Sequence, residues 1–95
     1  MKIEKLNECL ELFKILGDET RLKILCIIGD KKMTGVEILK QLDIVQSGLS
    51  AHLKKLVDCG IVNAENVWKY TYYTIKQERI KEVVKTFKIL TEVAK

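Results

Sequence analysis

The chain of 95 residues has no proline, one histidine, one tryptophan and five glycines. There is also no low-complexity tract and no internal repeat, so neither a Pro-rich linker nor a repeat array is available. No run of 18 or more apolar residues exists, which excludes a membrane-spanning helix. The stretch MKIEKLNECL lacks an apolar h-region, so no secretory leader is expected. Three cysteines, odd in number and irregular in spacing, make no disulfide framework. A cytoplasmic setting with reduced thiols is expected. Soft metals need thiolates or imidazoles, and the chain offers only Cys9, Cys26, Cys59 and His52, scattered over different segments. No metal and no cofactor is expected. No nucleophile–base constellation or phosphate loop is present, so no residue is assigned a catalytic role and the chain is not expected to be an enzyme.

What is present describes one small domain, residues 1–95. A chain this long buries about 60–65% of its unfolded surface, enough for one core of modest stability. The net charge is +4, unevenly spread. Residues 1–30 hold five Lys/Arg against six Asp/Glu, and residues 31–95 hold twelve against seven. A basic C-terminal two-thirds is compatible with phosphate binding.

Helical periodicity and stop signals divide the chain. Ile3, Leu6, Leu10 and Phe13 recur at helical spacing, and Gly17 ends that segment. Asp18 suits the N-cap of a second helix, ETRLKILCII, ended by Gly29. Its apolar residues surround it, so it is expected at the buried centre of the core. Thr34 and Glu37 have capping-box spacing, which starts a third helix and runs it to about Leu42. A short break, DIVQ, precedes a fourth helix ended by Gly60. IVNAENV and KYTYYTI, β-branched and aromatic, read as a hairpin joined around Asn66 to Trp68. Tyr73 and Ile75 fall on one strand face and should reach the core. Ile80, Val83, Val84, Phe87, Leu90 and Ala94 line one face of a last helix. The fold class is mainly α with a small β-hairpin, in the order of a winged helix-turn-helix.

The fourth helix has an unusual opening, VQSGLSAHLKKL. Glycine inside a helix costs about 1 kcal/mol relative to alanine. With Leu49 centring the buried face, Leu53, Leu56 and Val57 fall near it, and Ser47, Ala51, Lys54 and Lys55 fall opposite. Ser50 and His52 take the flanks. Small side chains let a helix sit deep in the major groove of DNA, Gln46 can bond adenine through two hydrogen bonds, and Ser47 or Ser50 can bond base edges or phosphates. The N–H groups of the first turn favour a phosphate, and lysines add counterion release.

These motifs resemble those of the ArsR/SmtB family of small winged-helix regulators. LFKILGDETRLKILCII is similar to the family's first-to-second helix signature, QSGLSAHLKKLVDCGIV to its recognition helix, and YYTI to the end of its wing. The resemblance implies a homodimeric repressor on a palindromic operator in double-stranded DNA. It implies that Gln46, Ser47, Ser50 and His52 face DNA, with Thr34 near a phosphate and the hairpin touching the flanking minor groove or backbone; the residues themselves add Gly48, Lys54, Lys55 and Lys69 as candidate DNA contacts. It implies a dimer interface on the first and last helices, at Ile3, Leu6, Leu10, Phe13, Val83, Phe87 and Leu90. The inducer is unknown.

The chain departs from the family pattern in places. Val45 stands where many members carry a capping serine, so Asp43 or Ser47 must cap the fourth helix or it begins frayed. Trp68 stands where a wing glycine is expected, and Lys69 is the one basic residue of NAENVWKYTYY. The family's metal-sensing positions are empty in the third and last helices. KILCII is similar to the cysteine-bearing second helix of redox-sensing members, but their partner cysteine in the last helix is missing. Cys26 and Cys9 are the remaining candidates for thiol chemistry, and Cys26 is expected to be a small buried hydrophobe. The rival to a DNA-binding regulator is a winged-helix protein-interaction module with little or no DNA binding. A DNA binder without any ligand is a second.

Overall fold

A computed structural model describes the backbone of residues 3–93 and the side chains of residues 7–89, Cys9 and Phe87 excepted. The elements run α1 (Ile3–Leu16), α2 (Glu19–Ile28), β1 (Met33–Thr34), α3 (Gly35–Leu39), α4 (Gln46–Asp58), β2 (Val62–Val67), β3 (Tyr70–Ile75) and α5 (Gln77–Val93). The sequence signals explain most boundaries. The Asp18 side chain accepts the Arg21 backbone N–H at the start of α2. Thr34 and Glu37 form the capping box that opens α3. Gly60, at a φ of 83°, ends the α4 region, and the Ile61 N–H reaches back to the Leu56 carbonyl at 3.0 Å. Positive φ is a conformation glycine adopts without steric cost.

Two expectations about length and burial are corrected. Helix α3 stops at Leu39, short of Leu42, and Gln41 and Leu42 donate to carbonyls three residues back. Leu42 and Ile44 pack against the core and draw the chain round before another helical turn can form. Helix α2 is not buried all round. Ile24 and Ile28 are fully buried, while Leu22 and Cys26 are exposed. Only one stripe of the helix meets the other elements.

The sheet is antiparallel in the order β1-β3-β2. The sequence pattern predicts the hairpin, and β1 adds a third strand to it by pairing Met33 with Tyr73 and Thr34 with Tyr72. The turn is two residues, Trp68 and Lys69, because Val67 pairs with Tyr70. The core gathers Ile24 and Ile28 of α2, Ile38 of α3, Leu49, Leu53 and Leu56 of α4, and Ile61 and Val62 at the start of the hairpin. Each fully buried aliphatic side chain contributes about 1.5–3 kcal/mol. Tyr73 and Ile75 pack against this core from β3, as the strand pattern predicts. On α5, Val83 and Thr86 are buried and Val84 is exposed. The stripe's Phe87, Leu90 and Ala94 lie outside the described side chains.

Candidate nucleic-acid interface

Helices α3 and α4 and the hairpin are held as one piece. Thr34 is both the β1 residue paired with Tyr72 and the cap of α3. Its hydroxyl donates to Glu37 Oε1 at 2.9 Å and accepts the Glu37 N–H at 3.2 Å. The backbone N–H of Thr34 and then its hydroxyl hold the Glu37 carboxyl below its ordinary pKa. Thr34 is buried, so the residue expected near a phosphate has its hydroxyl committed to the cap.

Leu49, Leu53 and Leu56 fix the rotation of α4 by facing the core. Gln46, Ser47, Ser50, Ala51, Lys54 and Lys55 are then exposed, and Gly48 is half-buried. Val45 occupies the N-cap position and makes no side-chain cap bond. Neither Asp43 nor Ser47 replaces it. The first turn of α4 therefore keeps N–H groups that no side chain satisfies, the arrangement that favours an anion.

His52 is set apart from this exposed face. It turns toward the start of α2, where the Arg21 guanidinium donates to Nδ1 at 3.3 Å. Arg21 Nε also donates to the Ile15 carbonyl at 2.6 Å, at the end of α1. Asp18 Oδ1 lies 3.9 Å from His52 Nδ1. The Arg21 backbone N–H, followed by the Arg21 guanidinium charge, holds the Asp18 carboxyl below its ordinary pKa. Sequence reasoning assigned His52 to DNA and missed Arg21. The two residues are 31 positions apart, and no local pattern connects them.

A groove of about 210 Å³ separates α4 from the wing. Gln46 and Ser50 line one wall, Lys69, Tyr70 and Thr71 the other, and Thr34 lies in its lining. Lys54 pairs with Asp58 at 3.0 Å on the exposed face. Lys55 borders a different hollow, with Glu11, Lys14 and Arg21. Lys69 lies over the rings of Trp68 and Tyr70, at 4.9 and 5.5 Å. Lys32, which sequence reasoning did not single out, bonds Glu65 at 2.9 Å and lies 5.3 Å from the Tyr72 ring.

Of the residues expected at a dimer interface, Leu10 is exposed, Phe13 is half-buried and Val83 is buried in the protomer's own core. The side chains of Ile3, Leu6, Phe87 and Leu90 lie outside the described set, as does that of Cys9. Cys26 overturns the expectation of burial. Its helix face is left uncovered, and it borders an apolar hollow with Leu22, Ile27 and Leu42. Among the described residues no group of three His, Cys, Asp or Glu lies close enough to hold a metal ion. None of the described helices is long and apolar enough to cross a membrane.

Two helices in a tight turn, a polar helix face and a hairpin beside it define a winged helix-turn-helix protein. Residues 18–64 match the model of the bacterial regulatory protein, arsR family. An uncharacterized HTH-type transcriptional regulator of Methanocaldococcus jannaschii is 36% identical over 84 residues, covering 87% of this chain and 94% of that protein. The transcriptional activator HlyU of Vibrio cholerae is 33% identical over 73 residues, covering 77% of this chain and 68% of its own. Its solved structure superposes with a TM-score of 0.78 at 29% identity, over 95% of this chain and 97% of that one. The arsenical resistance operon repressor of Bacillus subtilis is 31% identical over 80 residues, covering 83% of this chain and 76% of that protein. This chain belongs to the ArsR family of DNA-binding helix-turn-helix transcriptional regulators, which are not enzymes.

Proposed function

We propose that residues 1–95 form one DNA-binding domain that acts as a homodimeric repressor on a palindromic operator. The observation that carries this reading is the first turn of α4. It presents Gln46, Ser47 and Ser50 outward beside N–H groups that no side chain caps. In a major groove, glutamine meets adenine and the serines meet base edges or phosphates. Lys54, Lys55 and Lys69 supply charge around that face.

Dimerisation is supported by apolar surface on the two terminal helices. Leu10 on α1 is 46% exposed, and Val84 and Ile89 on α5 are 49% and 40% exposed. Helices α1 and α5, which carry these residues, lie against each other. A two-fold dimer sets its recognition helices about 34 Å apart, one turn of DNA. The repressor direction follows the name of the Bacillus subtilis relative, whereas HlyU is named an activator.

The test is selection of genomic fragments on the purified protein, followed by footprinting and transcription in vitro. Two symmetric protected half-sites and lowered transcription are expected. A single half-site would refute the dimer, and raised transcription would refute the repressor. Absence of binding to any duplex would leave the protein-interaction module.

A further inference from the structure

Trp68 is the chain's one tryptophan, and it is 88% exposed at the wing tip. It holds the first position of the two-residue turn at a φ of 58°. Hairpin turns with positive φ at that position favour glycine. A bulky residue there is an outlier, and outliers of this kind cluster where function requires them. Packing within the protomer does not account for it, because the ring faces solvent and the group above it is the Lys69 ammonium.

The surroundings limit what the ring can meet. Lys69, Tyr70 and Thr71 line the same groove as Gln46 and Ser50, so the tip continues the surface of the recognition helix. Lys69 is the one cation of the turn, and it already lies over two rings. The neighbouring strand carries Asn63, Glu65 and Asn66. A wing of this composition has little charge to offer phosphates and a large apolar surface to offer something else. With α4 in a major groove, an element beside it meets the adjacent backbone and the minor groove beyond. The walls of that groove are deoxyribose rings, and apolar side chains wedge into it in many DNA complexes.

We propose that Trp68 is a DNA-contacting residue, an apolar wedge that packs on the sugar walls of the minor groove flanking the α4 contacts. This rests on the reading of α4 above. Such a contact contributes affinity without releasing counterions, unlike a lysine on a phosphate.

A lone tryptophan lets one titration read both questions. The full-length protein is titrated with a labelled duplex carrying a site recovered by the genomic selection. Anisotropy of the label reports binding, and Trp68 emission reports the wing. On binding, Trp68 emission should change and its accessibility to acrylamide should fall. Trp68→Gly should melt at a higher temperature than wild type, which shows that it folds, yet bind about tenfold more weakly with an unchanged salt slope. Trp68→Phe should retain most of the affinity. Lys69→Gln should lower the salt slope by about one if its ammonium neutralises a phosphate, and leave it unchanged if the rings hold it; both outcomes support an apolar wing provided Trp68→Gly weakens binding. Rising anisotropy with unaltered Trp68 emission and accessibility, and with Trp68→Gly binding as wild type, would overturn the proposal and leave the ring to a protein partner. No rise in anisotropy on any duplex would overturn the α4 reading as well.

Discussion

The uncapped start of α4 makes a quantitative test. Val45 has the extended backbone of an N-cap, at φ −80° and ψ 156°, but lacks an oxygen to accept an N–H. In Val45→Ser the hydroxyl can accept from Ser47 or Gly48, and a serine cap contributes about 1 kcal/mol. The lost valine methyls offset part of this. Val45 is 71% exposed, so less than a third of a valine's burial is at stake, about 0.5 kcal/mol. The net gain is about 0.5 kcal/mol, or about 2–4 °C in melting temperature for a domain of this size. Val45→Ala loses the same methyls and adds no cap, so it should melt about 2–4 °C below wild type. The gap between the two variants isolates the cap from the burial. Both are measured by circular dichroism at one protein concentration, because association shifts the midpoint. Serine melting at or below alanine would refute the capping argument.

Gln46→Ala combined with Ser50→Ala should lower specific DNA affinity by about 1–3 kcal/mol per lost contact, with an unaltered far-UV spectrum. Equal binding of a selected site would remove both from the interface. Leu10→Glu or Ile89→Glu should turn dimer into monomer in sedimentation velocity, and a wild type already monomeric at tens of micromolar would sink the dimer. Asp18 and Glu37 both have lowered folded pKa values. Their stabilisation is therefore complete above the unfolded carboxylate range and is lost as pH falls through the folded values. Below about pH 5, melting temperature should drop less steeply in Asp18→Asn/Glu37→Gln than in wild type, and parallel curves would contradict the assignment.

Local chemistry made much of this fold legible. Asp18 and the Thr34–Glu37 pair announce their helices because caps act over three residues, and Gly17, Gly29 and Gly60 close helical stretches. The rotation of α4 follows from Leu49, Leu53 and Leu56 alone. Features set by distant partners were not legible. Strand β1 is two residues long and exists through its pairing with Tyr72 and Tyr73. The exposure of Leu22 and Cys26 depends on which side of α2 the other elements leave bare. The bond from Arg21 to His52 joins residues 31 positions apart, which no local pattern connects. The outward Gln46, Ser47 and Ser50 of the site were readable from helical spacing, whereas the groove joining them to Lys69 and Tyr70 needed the hairpin's position.

The strand order leaves β2 with a neighbour on one side only. Its outer edge is a row of backbone donors and acceptors, a template on which another chain could add a strand. Asn63, Glu65 and Asn66 are poor strand formers, and the Glu65 carboxylate reaches across the sheet to Lys32. Such residues make the edge a poor template for a second wing. Replacing Glu65 and Asn66 with valine would strengthen the hairpin and open a route to edge-to-edge aggregation. Solubility thus opposes any pressure toward a more regular, more apolar wing strand.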